Sequence, residues 1–214
     1  MAHDWYRLSS WTEEDQKGFF ARLHRSRSTF SKAQYATIQA LNLHEIGTKE
    51  SSRWALDLLD LVETEWPEPI VLASIHLQKA DCYLTLDDLP SAINSYRAAL
   101  AQEKVYPQVQ TSARFDFPLL IASRKLVDLY EEALATLDLI DDLWLPTSIY
   151  QFNAATALIT AEVGDKAKAS ERAETALLAM KQDHSGVSRH PKFGLVADVD
   201  QNIVRRLEVI AASG

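Results

Sequence analysis

From residue 13 onward, apolar side chains recur every three or four positions, the spacing that gathers them on one face of an α-helix. No alternation of apolar and polar residues is sustained anywhere, so strands are not expected and an all-α fold is. Residues 13–25 read as a first helix with Phe19, Phe20 and Leu23 on its buried face. Thr12 is its N-cap, with Asp15 three residues on in the spacing of a capping box. Residues 29–46 carry Phe30, Ala33, Tyr35, Ile38, Ala40, Leu41 and Leu43, apolar on more than one side, which predicts packing on more than one side. A loop over 47–52 leads to a helix over 53–66, whose buried stripe is Trp54, Ala55, Leu58, Leu59 and Val62 and which Pro67 and Pro69 end.

The next stretch, 72–100, organises the rest. Ala80 is followed by Tyr83, and after a short polar gap come Ala92, Tyr96 and Ala99. Small residues suit a close helix crossing and large ones fill the gap beside it, so this is a helix hairpin built to stack on copies of itself. Asp87 or Asp88 is the N-cap of its second helix, whose first turn tolerates Pro90. Beyond Pro107, Ala133, Leu137 and Pro146 repeat the second-helix pattern, and Pro118 either kinks the preceding helix or restarts it behind Asp116. In 148–181, Ala157, the Gly164-Asp165 turn, Ala169, Ala173 and Ala176 give a fourth hairpin. Residues 182–195 are a long loop holding His184 and His190. A last helix over 197–211 has Val199, Ile203, Leu207 and Ile210 on one face and Asp200, Arg206 and Glu208 mostly on the other, as a helix covering the end of a stack requires.

Ala80-x2-Tyr83 and Ala92-x3-Tyr96 resemble the Gly-x2-Tyr and Ala-x3-Phe spacings of the tetratricopeptide repeat family. Departures are His76 and Lys79 at the usual Trp and Leu sites, and a late proline at Pro107. The second-helix alanines Ala55, Ala92, Ala133 and Ala169 are spaced by 37, 41 and 36 residues, against about 34 in a strict repeat, so the repeats are degenerate. The resemblance implies a right-handed α-α superhelix of about four hairpins in a single domain over 1–214. Its parts are an N-terminal extension and helix at 1–28, repeats over 29–181, and a loop and capping helix at 182–214. It further implies a concave face lined by first helices that holds a peptide or a helix of another protein. By alignment that face includes Gln34, Thr37, Leu41 and His44, then Ser74, Leu77, Asp81 and Thr85, then Gln151, Ala154 and Leu158. The Lys and Asn that some members use to grip a chaperone's C-terminal carboxylate are absent, since Thr37, Leu41 and His44 occupy the matching sites.

Composition narrows the partners. A formal charge of -8 disfavours nucleic acid and anionic membrane, both polyanions. The one cysteine, Cys82, can form no intrachain disulfide, and a reducing compartment fits. The first fifteen residues lack the order of a signal peptide, and no window approaches the roughly 20 apolar residues of a membrane helix. A cytoplasmic protein is therefore expected. The basic run at 22–32 reads as a solvated helix end and loop, with an anion or acidic-partner site as its alternative.

Catalytic patterns are not met. Cys82 falls in a packed helix, His44-Glu45 lacks a second histidine four residues after the first, the carboxylate pairs read as helix surface or caps, and no glycine loop could cradle phosphate. No cofactor or metal is expected, nor an enzyme, and the leading reading is a protein-binding module. Its rivals are a self-associating scaffold such as a homodimer, in which Trp5, Tyr6 and Trp11 dock into a groove or a neighbouring subunit, and an enzyme with a site between hairpins.

Overall fold

The computed structural model describes residues 4–213, which hold ten α-helices, one 3-10 turn and no strand. Their close contacts divide into two compact units, one ending at Ala113 and one beginning at Arg114.

The first unit begins with a strap, residues 4–11, whose aromatic rings lie on the first two helices. Residues 1–3, the start of the expected extension, lie outside the described residues, as does 214. Helix α1 (Glu13–Leu23) opens with the expected capping box: the Thr12 hydroxyl accepts from the Asp15 N–H and the Asp15 carboxylate accepts from the Thr12 N–H. Helices α2 (Thr29–His44) and α3 (Lys49–Glu65) pack as one hairpin, α4 (Pro69–Thr85) and α5 (Leu89–Val105) as another. Helix α2 also touches α1 and α4, as its many-sided apolar pattern requires.

The loop expected over 47–52 is only 45–48. Thr48 caps α3 and shares a reciprocal bond with Ser51, and Ser51 and Ser52 are buried, so four polar residues that resemble a loop form the first helical turn. Pro69 does not merely follow α3; it is the first residue of α4, where its missing N–H costs nothing.

In the second unit, α6 (Ala113–Ser123) runs unbroken through Pro118, so the chain does not restart behind Asp116. A 3-10 turn (Val127–Leu129) leads to the short α7 (Tyr130–Leu137). Helix α8 (Pro146–Glu162) is buried on nearly every side and packs against α9 (Lys166–Met180), α7 and α10 (Gln201–Ala211). The last helix starts at 201 rather than 197, leaving Val199 outside it, while Ile203 and Leu207 are buried as expected. Arg206, assigned by pattern to the outer side, instead turns inward. Its guanidinium donates to the carbonyls of Ser123 (3.0 Å) and Ala122 (3.4 Å), capping the end of α6.

The chain reverses in the same way after α2, α4, α6 and α8. One residue with positive φ stands immediately before the N-cap of the second segment: Gly47 (77°), Asp87 (64°), Lys125 (54°) and Gly164 (91°). In the last three, the following N–H donates back to the preceding helix in a 6→1 bond, from Asp88 to Tyr83, Leu126 to Ile121 and Asp165 to Thr160. Of the two candidate caps in the second hairpin, Asp88 is the N-cap and Asp87 the left-handed residue. Ala55, Ala92, Ala133 and Ala169 are all buried, on α3, α5, α7 and α9.

Candidate functional site

Helices α2 and α4, first in their hairpins, lie directly against each other, with α3 packed on both. Along α2, Gln34 and Leu41 are exposed, Leu41 to 40%, whereas Thr37 is buried with its hydroxyl on the Ala33 carbonyl (2.8 Å). His44 faces α3, its Nδ1 3.2 Å from the Ser52 hydroxyl, and burial holds its imidazole below the ordinary value. Along α4, Ser74, Leu77, Asp81 and Thr85 form a half-buried stripe. Asp81 accepts from the buried Tyr96 hydroxyl (3.2 Å), and the Thr85 hydroxyl returns to the Asp81 carbonyl (3.2 Å). The structure therefore leaves Gln34, Leu41, Ser74 and Leu77 as the members of the two stripes best able to meet a partner.

Between α3 and α4 lies a charged cluster that sequence reading passed over. Lys79 Nζ is 2.6 Å from Asp60 Oδ1 and pairs with Glu63 as well, while His76 Nδ1 is 3.2 Å from Glu63 Oε1. Burial alone would pull the Lys79 ammonium down, but the hydrogen bonds and charges of Asp60 and Glu63 together hold it above the usual lysine value. Burial lowers His76, against the attraction of Glu63 and with the repulsion of Lys79. The same cluster raises Asp57, through burial and then the charge of Asp60. His76 and Lys79 are the two residues that depart from the tetratricopeptide spacing at its usual Trp and Leu sites. Each is answered by an acid on the preceding helix, so Glu63 and Asp60, placed with His76 and Lys79, were the available signal.

In the second unit, Gln151 donates to Asp116 (2.6 Å), and Ala154 and Leu158 are fully buried in the packing of α8. These two present no surface to a ligand. The buried Tyr150 hydroxyl has no partner among the described residues, and burial with the charge of Asp200 pushes it up to about 12. The long loop is pinned by its own bonds: Ser185 N–H donates to the Pro191 carbonyl (2.8 Å) and its hydroxyl to the His190 carbonyl (3.2 Å).

The aromatic strap has a closely built seat. Trp5 stands 4.9 Å from Tyr35 and 5.5 Å from Phe19 between ring centroids, Tyr6 is 4.8 Å from Tyr35, and Trp11 is buried against Phe19. The three aromatics weighed for self-association are thus engaged within their own unit. Beside the strap is a cleft of about 260 Å³ between Trp5, Leu8 and α1, edged by Glu14, Asp15 and Arg22.

Cys82 is fully buried, and burial with the charge of Asp81 pushes its thiol up to about 12, so it carries no thiolate at neutral pH. Among the described residues, no three of His, Cys, Asp or Glu are grouped to hold a metal ion, and no helix is long and apolar enough to cross a membrane. Comparison of the chain with family models, curated proteins and solved structures finds no match.

Proposed function

We propose that the chain is a non-catalytic binding module whose four hairpins are degenerate tetratricopeptide-like repeats of a right-handed α-α superhelix. It takes a peptide or partner protein, rather than nucleic acid or membrane, along the first helices of its N-terminal unit. The observation that carries this reading is the direct contact of α2 with α4, which sets the stripes of Leu41 and Leu77 on neighbouring helices. Apolar anchors at Leu41 and Leu77, flanked by Gln34 and Ser74, suit a segment with two apolar side chains and main-chain groups to satisfy. The acidic chain as a whole favours a partner with some positive charge.

The test is selection of binders from a displayed random-peptide library on the immobilised protein, followed by titration of the winners against the variant Leu41→Arg/Leu77→Arg. Enrichment of a shared apolar pattern whose binding falls at least about tenfold in the variant, with helical circular dichroism unchanged, supports the reading. Failure to enrich any pattern, or binding indifferent to both substitutions, removes it.

A further inference from the structure

The C-terminal unit carries an apolar surface that its own helices leave uncovered. Trp144 is 57% exposed and Phe193 59% exposed, although both adjoin one tight contact. Leu145, next to Trp144, lies so close to Gly194, next to Phe193, that a Cβ added at Gly194 would come within 2.6 Å of the Leu145 side chain. The Thr147 N–H donates to the Gly194 carbonyl at 2.8 Å, locking the two segments together. Trp144 and Phe193 therefore flank one fixed backbone contact, and each is left more than half exposed. Scattered exposed apolar residues need no explanation, but paired aromatics on a rigid support mark an interaction surface.

The charges around this surface say what covers it. The segment leading to Trp144 carries Asp141 and Asp142, and the segment leading to Phe193 carries Arg189 and Lys192. All four are exposed, and among the described residues no ion pair joins the acidic segment to the basic one. A patch with an aromatic centre, an acidic side and a basic side is complementary to itself under a two-fold rotation, because each acidic side then meets the other copy's basic side. We infer that the chain forms a two-fold homodimer through Trp144 and Phe193, with Asp141 and Asp142 of each copy facing Arg189 and Lys192 of the other. This inference stands apart from the peptide-binding reading, which concerns the N-terminal unit.

Sedimentation velocity of the full chain over the micromolar range at low salt tests it. The expected species has twice the 24.1 kDa chain mass, and its dissociation constant rises at least about tenfold in Trp144→Asp and in Phe193→Asp. Asp141→Lys/Asp142→Lys and Arg189→Glu/Lys192→Glu should each weaken the dimer. Mixing these two variants should restore a heterodimer, because a patch positive on both sides then meets one negative on both sides, and combining all four substitutions in one chain should restore the homodimer, since either arrangement recovers both charge pairs of the two-fold contact. A monomeric wild type, a larger open-ended assembly, a dimer indifferent to Trp144 and Phe193, or failure of the combined variant to recover would each overturn the inference. The charge variants keep it testable if an aromatic replacement fails to fold.

Discussion

The side-chain amide of Gln39 clasps the main chain of Leu8 from both sides, its Oε1 accepting from the Leu8 N–H at 2.8 Å and its Nε2 donating to the Leu8 carbonyl at 2.9 Å. Gln39 is fully buried and Leu8 half-buried, so the Gln39 side of both bonds is closed to water. Gln39→Leu leaves the Leu8 N–H and carbonyl unpaired, and a cost of about 2 to 4 kcal/mol is expected. The strap should then detach, seen as red-shifted tryptophan emission and faster proteolysis within residues 4–11. A variant with wild-type stability and protection would show that the aromatic contacts hold the strap alone.

The reversal residues separate backbone strain from packing. Nothing lies within 4 Å of a Cβ built at Gly164, so Gly164→Ala should lose about 1 kcal/mol through its positive φ and not through a clash. Lys125→Gly should gain up to about 1 kcal/mol, less whatever its exposed pair with Glu162 contributes. Urea midpoints of the two variants moving in the same direction would contradict this account.

Removing Lys79 takes the ammonium from the Glu63 carboxylate and leaves it facing His76 on α4. Lys79→Leu should cost about 1 to 3 kcal/mol, discounted because Asp60 is largely exposed, and Lys79→Leu/Glu63→Gln should regain most of it. Two losses that simply add would mean that the two side chains act independently.

Acidification through the histidine range should destabilise the fold. Burial holds His44 and His76 below the ordinary histidine value, so the unfolded chain takes up protons first as pH falls. Each contributes stability that is complete above about pH 6.5 and is lost as pH falls through the folded value. Denaturation midpoints should therefore decline from about pH 7.5 to about pH 5.5, with a shallower decline in His44→Gln. A flat or rising profile would refute the assignment.

Much of this architecture is legible in the sequence. Apolar spacing located the helices, and Thr12, Asp88 and Asp165 cap where their side chains can accept from the first turn. The errors have physical causes. Ser51 and Ser52 resemble loop residues, yet serine is small enough to be buried at a helix start. Pro118 suggested a break, but α6 continues through it. Arg206 was read as solvent-facing because pattern alone does not reveal the open carbonyls of a distant helix end. The site was less legible. Helix α8 is buried on nearly every side, Asn153, Thr156 and Thr160 included, so a stripe containing Ala154 and Leu158 could not be told from core, and Trp144 and Phe193 are linked only through a contact 49 residues apart, Leu145 with Gly194.

The four reversals also supply a better ruler for this chain than its helices do. Measured between buried alanines the repeats are irregular, but the left-handed residues Gly47, Asp87, Lys125 and Gly164 recur after 40, 38 and 39 residues. The connections between hairpins differ in length, at 66–68, 106–112 and 138–145, while the helices slide to compensate. A period near 39 exceeds the roughly 34 of a strict tetratricopeptide repeat by about five residues, somewhat more than one helical turn. The bends in this chain therefore keep a more even spacing than the buried alanines do, because a left-handed residue fixes where the backbone turns, whereas a helix can lengthen or shorten on either side of it.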